Sequence, residues 1–123
     1  MPTNDQIIER LISLGCDVPG ALPRFVGRRD FYCRMLTLVP NDENFEKLGA
    51  FLIAGDVKAS FEAAHTLKGV LANMGLTPMY REVCAIVEPL RAGKTGGTQE
   101  HYDALMRQRE LLVQLMENGE AKQ

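Results

Sequence analysis

Residues 56–75 read Asp-Val-Lys-Ala-Ser-Phe-Glu-Ala-Ala-His-Thr-Leu-Lys-Gly-Val-Leu-Ala-Asn-Met-Gly. Placed at about 100° per residue, Val57, Phe61, Ala64, Leu67, Leu71 and Met74 gather on one side of a helix. Asp56 is suited to cap its start and Gly75 to end it as the C′ residue. His65 falls roughly 130° from the centre of the apolar stripe, so its imidazole is expected to project into water.

The residues one turn from His65, at spacings of three and four, are Phe61, Glu62, Lys68 and Gly69, with Ala72 two turns on. A glycine inside a helix costs about 0.5–1 kcal/mol relative to alanine, so Gly69 needs a reason. Clearance is the simplest: with no side chain there, another protein's active site could reach the imidazole. Lys68 could then offer positive charge to an incoming phosphoryl group. Imidazole is largely uncharged and nucleophilic near neutral pH, which suits capture of such a group. Each residue also has a plainer reading. A surface histidine is ordinarily only that, Lys68 alone is a solvated charge, and Gly69 alone could serve helix–helix packing.

Taken together, His65, Leu67, Lys68, Gly69, Asn73 and Gly75 resemble the phosphoacceptor segment of histidine-containing phosphotransfer (HPt) domains. That family's pattern is roughly His-x-Leu-Lys-Gly, then small and apolar residues, and a glycine about ten positions after the histidine. The segment from Phe45 to Asp56 is also similar to the family's preceding helix ending in Gly-Asp. The resemblance implies an all-α fold, an antiparallel four-helix bundle with additional short N-terminal helices. It implies a single domain over residues 1–123, with a core at about 15–117. It further implies a phosphorelay intermediate in which His65 accepts the phosphoryl group and Lys68 offsets its charge, while Phe61, Glu62, Gly69 and Ala72 form the partner-binding face. The implied partners are response-regulator receiver domains and a hybrid sensor histidine kinase. No cofactor is implied for the chain itself, since magnesium is expected on the receiver. Two departures stand out. Val70 and Leu71 occupy positions where the family often has Ala or Ser, which could alter packing beside the docking face. Pro89 interrupts a helix that is commonly continuous, at a sequence distance from His65 that suggests an effect on shape more than chemistry. The alternative reading is a non-catalytic bundle that binds and regulates a receiver domain or sensor kinase.

The rest of the chain reads as helix after helix, six segments in all, with no period-two strand. Thr3 and Gln6 form a potential capping box before Ile7, Ile8, Leu11 and Ile12, and Gly15 closes that helix. A turn is expected through Pro19 and Gly20. The next segment begins near Pro23, carries Phe25, Phe31, Tyr32 and Leu36, can be split by Gly27 and is ended by Pro40. Asn41 or Asp42 can cap a helix bearing Phe45, Leu48 and Leu52 that stops at Gly55. Thr77 is expected to cap a helix opened by Pro78 and kinked or shortened by Pro89, and Thr98 to cap the last helix. The tail beyond Gly119 is expected to fray.

Composition sets bounds on function. A chain of 123 residues with 46% hydrophobic content can bury a real core but is short for two ordinary domains. Fourteen Lys and Arg against sixteen Asp and Glu leave a net charge of -2, which gives no global case for nucleic-acid or anionic-membrane binding. Arg24, Arg28, Arg29 and Arg34 form the nearest thing to a basic patch, and the plain reading is a solvated helix face. Cys16, Cys33 and Cys84 are odd in number, widely spaced and without a Cys-x-x-Cys pair, which argues against a disulfide framework or thiolate metal site.

Gly93-Lys94-Thr95 looks like the end of a phosphate-binding loop, but Glu88 stands where its first glycine is required and the segment follows a helix. His101 is expected at the surface or against a loop. A polar, acidic N-terminus and the lack of any long apolar run predict a cytoplasmic protein that spans no membrane. The initiating Met and the absence of flanking kinase sequence suggest a stand-alone shuttle. The cognate kinase and receiver, the direction of phosphate flow, the downstream response and the oligomeric state are not legible in the sequence.

Overall fold

In the computed structural model, which describes residues 1–119, the described residues form helices joined by short turns. The order is α1 (Asn4–Ser13), α2 (Val18–Ala21), a 3-10 turn (Leu22–Phe25), α3 (Arg29–Leu36), a second 3-10 turn (Val39–Asn41), α4 (Asn44–Ala54), α5 (Val57–Asn73), α6 (Thr77–Arg91) and α7 (Gln99–Asn118). No strand is present among the described residues.

Local chemistry accounts for most of these boundaries. The Thr3 hydroxyl accepts from the Gln6 amide at 3.1 Å while the Gln6 side chain accepts from the Thr3 amide at 2.8 Å, completing the capping box of α1. Asp56 caps α5 by accepting from the Ala59 amide at 3.0 Å. At the other end of α5, Gly75 has φ +69° and its amide bonds to Ala72, while the Leu76 amide reaches back to Leu71. This paired arrangement satisfies carbonyls that the helix end leaves open.

Several expected boundaries are shifted. The Pro19–Gly20 segment is not a plain turn: it lies in α2, because Asp17 caps it through the Gly20 amide at 3.0 Å and proline tolerates the first turn of a helix. The long segment after Pro23 does divide, at Val26 and Gly27, which both take positive φ. Neither Thr77 nor Thr98 caps with its side chain. Both hydroxyls donate backwards instead, to the carbonyls of Gly75 and Thr95. α6 runs past Pro89 to Arg91, since a proline in the last turn removes only one amide donor. The tail beyond Gly119 lies outside the described residues.

Helices α4 to α7 form the four-helix bundle. Short connections make α4, α5 and α6 successive antiparallel neighbours, α7 packs on α6, and α4 touches α7 to close the ring. The closing contact is intimate. The Tyr102 hydroxyl donates to the Phe45 carbonyl at 2.9 Å, and a Cβ on Gly49 would strike the Tyr102 ring. Arg109 donates from Nε to the Pro40 carbonyl at 2.8 Å and lies 5.4 Å over the Phe45 ring.

The three N-terminal helices cover the end of the bundle where α5 turns into α6. Tyr32 is fully buried and donates to the Met74 carbonyl at 2.7 Å. Ile8, Leu11, Val18, Phe25 and Leu36 join the bundle residues Leu67, Leu71, Ile86, Leu105 and Leu115 in one continuous apolar core. No helix among the described residues is long and apolar enough to cross a membrane.

Candidate functional site

The helix α5 buries Ser60, Ala63, Ala64, Leu67 and Leu71 and leaves a stripe of Lys58, Glu62, His65, Gly69 and Ala72 open to solvent. Its buried side therefore differs in detail from the stripe expected from sequence. Phe61 and Val57 are only half-buried, and small Ser60 and Ala63 lie deeper. Small residues let α5 sit close against its neighbours, which moves the larger Phe61 out to the rim.

At that rim the Phe61 ring stacks on the imidazole of His65, with centroids 5.7 Å apart and planes inclined by 29°. The same Phe61 ring carries the guanidinium of Arg91 at 5.4 Å from its centroid. Arg91 is the last residue of α6 and forms only a loose ion pair with Glu88, at 3.9 Å.

The sequence reading did not anticipate Arg91. The signal that could have found it is the antiparallel register. Phe61 and Arg91 stand at roughly equal distances on either side of Gly75, so the turn folds them together. Pro89, expected to matter little for the chemistry, lies in the helical turn that delivers Arg91 to the site.

Gly69 is exposed, and a Cβ built on it would meet nothing within 4 Å. Helix–helix packing therefore does not explain this glycine. Lys68 is half-buried, and among the described residues no ion pair or hydrogen bond engages its ammonium. Ala72 is exposed two turns from His65, while Glu62 lends its backbone carbonyl to the Thr66 hydroxyl at 3.0 Å. All six candidate residues thus belong to one helix, and of them Phe61 is in ring contact with the imidazole. Leu71 is wholly buried and so leaves the exposed face unaltered, while Val70 is half-buried against the core.

The arrangement is an accessible imidazole stacked on Phe61, with Lys68 one helical turn on, Arg91 over the Phe61 ring and a cleared approach over Gly69. It is suited to receive a group that a partner presents.

The family model of the Hpt domain matches residues 38–119, two thirds of the chain. The chain belongs to the Hpt domain family. Hpt domains are phosphocarrier modules of phosphorelays rather than autonomous kinases, and they work with receiver domains and kinases. Comparisons with curated proteins and with solved structures gave no significant match. The region matched to the Hpt domain spans α4 to α7, and α1 to α3 precede it.

Other candidate residues of this Hpt protein take structural places. His101 does not sit free or against a loop: its Nδ1 lies 2.8 Å from Glu82 on α6, tying α7 to α6. Arg28 and Arg34 share Asp30 at 2.7 and 3.6 Å, Arg29 pairs with Asp5 at 3.1 Å, and Arg24 donates to the Asn73 carbonyl at 3.2 Å. The arginine cluster is therefore largely committed to its own chain. The three cysteines are free. Burial pushes the Cys16 thiol up to about 11, opposed by a backbone hydrogen bond at Thr77, and burial likewise raises that of Cys33. Such thiols are poor nucleophiles near neutral pH.

Proposed function

We propose that the protein shuttles a phosphoryl group between receiver-domain aspartates through His65. The observation that carries this reading is the open imidazole of His65, stacked on the Phe61 ring that also carries the Arg91 guanidinium, one turn from the open space over Gly69.

In the proposed step a receiver carrying an aspartyl phosphate docks on the exposed face of α5. The unprotonated ring nitrogen of His65 attacks phosphorus. The P–N bond forms as the P–O bond to the aspartate breaks, and the electron pair of that bond leaves on the carboxylate. The imidazole, now phosphorylated on one nitrogen and protonated on the other, can release that proton to water. Transfer onward to a second receiver is the reverse step.

Lys68 offsets charge on the equatorial phosphoryl oxygens, and Arg91, seated over the Phe61 ring, is a second cation on this face. Glu62, Gly69 and Ala72 meet the receiver surface. Magnesium and most of the transition-state stabilisation belong to the receiver, as expected where positioning and electrostatics dominate phosphoryl transfer. The chain binds no nucleotide and no cofactor of its own in this reading, and it acts as one unit in the cytoplasm with a hybrid sensor kinase upstream. The loop containing Gly93, Lys94 and Thr95 follows α6 rather than a strand, which supports the absence of a phosphate-binding loop there.

The test is transfer from a panel of phosphorylated receiver domains to the parent and to His65→Ala, followed by acid treatment of the label. Acid-labile phosphate on the parent alone is the expected result. Equal labelling of His65→Ala would overturn the assignment, and binding without transfer from any receiver would favour a docking module that carries no phosphate.

A further inference from the structure

An exposed histidine on a helix ordinarily samples several side-chain orientations, and only some of them present a ring nitrogen along the line of attack. In this chain the imidazole rests on the Phe61 ring at 5.7 Å in a stacked arrangement, a contact that favours one orientation over the others. Phe61 is itself fixed from two directions. It is partly buried against the core, and the guanidinium of Arg91, arriving from α6, lies over its ring at 5.4 Å. Arg91, Phe61 and His65 thus form a continuous contact from the end of α6 to the candidate acceptor.

We infer that Phe61 is a positioning residue for phosphoryl transfer, holding the His65 imidazole in one orientation before a receiver arrives. The inference rests on the phosphotransfer reading and assigns Phe61 a role through His65 rather than a contact with the receiver. Three staggered wells at χ1 and two broad ones at χ2 give a free histidine about six orientations. Selecting one in advance is therefore worth at most about six-fold in rate, through removal of an orientational search. The attacking nitrogen, the bonds made and broken and the fate of the proton are unchanged. Only the fraction of encounters in which the nitrogen is aimed at phosphorus is altered.

This role separates from a docking contact by the size of the donor. Phosphoramidate is a small phosphoryl donor that needs no protein–protein surface: the imidazole nitrogen attacks its phosphorus, the P–N bond to the donor breaks, and ammonia leaves with a proton. Parent, Phe61→Leu and Phe61→Tyr would each be phosphorylated both by phosphoramidate and by a phosphorylated receiver domain. Thermal melts would establish that each variant is folded.

With Phe61→Leu the rate is expected to fall about three- to six-fold with either donor. With the receiver the loss should lie in kcat, with KM little changed. Phe61→Tyr, which keeps the ring, should restore the parental rate. Nuclear magnetic resonance supplies a signature that a purely structural role would not move. The His65 ring protons, shifted by the Phe61 ring in the parent, should return to ordinary positions in Phe61→Leu and not in Phe61→Tyr.

A parental rate for Phe61→Leu with phosphoramidate, or a loss confined to KM with the receiver, would overturn the inference. If the parent itself accepted phosphate from neither donor at His65, the phosphotransfer reading would fail instead, so the two failures are distinguishable.

Discussion

The backbone amide of Asp17 donates to the carbonyl of Gly75 at 2.8 Å, and the two segments run so close there that a Cβ on Gly75 would strike the Asp17 carbonyl. Gly75 therefore serves twice, as the left-handed residue that ends α5 and as the point where the N-terminal helices press on the bundle. For Gly75→Ala, left-handed strain of about 1–2 kcal/mol adds to a backbone clash of similar size. A loss of about 3 kcal/mol is expected in urea unfolding. Phosphoryl acceptance per folded molecule should be unchanged, because His65 lies nearly three turns away.

Gly69 should behave in the opposite way. Its surroundings are open, so Gly69→Ala is expected to stabilise the helix by about 0.5–1 kcal/mol. Gly69→Leu should also fold, yet its side chain would occupy the approach to His65. Receiver affinity, measured by titration calorimetry, is expected to fall about ten-fold, or roughly 1.4 kcal/mol. Undiminished affinity would remove the clearance argument.

Lys68→Ala should slow transfer from a phosphorylated receiver by about ten-fold while weakening receiver binding much less, since its charge is needed most as the phosphoryl group moves. Rapid-quench kinetics against binding titration separates the two effects. A parental transfer rate would make Lys68 a bystander. Arg91→Gln should have a smaller effect in the same direction.

The half-buried thiol of Cys16 gives a pH signature. Its value is raised from 9.0 to about 11 by burial, so between those values the unfolded chain has lost a proton that the native state keeps. Stability should therefore be unaffected below about pH 9 and decline as pH rises from 9 toward 11. Urea midpoints at pH 8 and pH 10.5 should show a smaller decline in Cys16→Ala than in the parent. The remainder is expected from Cys33 and Tyr32, whose ionisation burial also resists.

Local signals in the sequence determined much of this protein. The capping box at Thr3 and Gln6, the cap at Asp56, the glycine stops at Gly55 and Gly75, and the outward position of His65 all depend on residues within one or two turns of each other. Sequence spacing reports such relationships directly. The resemblance of His65, Leu67, Lys68, Gly69, Asn73 and Gly75 to the family's acceptor segment located the candidate site, and spacing placed Lys68, Gly69 and Ala72 on the same helix as His65.

What only the tertiary structure decided are the relationships between distant segments. Thr77 and Thr98 look like caps from sequence, but the Gly75 and Thr95 carbonyls claim their hydroxyls. Phe61 fits an apolar stripe, yet the close packing permitted by Ser60 and Ala63 leaves it at the rim under His65. Arg91 has no local reason to matter and reaches the site only because α6 folds back antiparallel along α5. His101 is held by Glu82 for the same kind of reason, across α6 and α7. A helical wheel gives the direction in which each residue points, whereas the identity of what it meets depends on the packing of other helices.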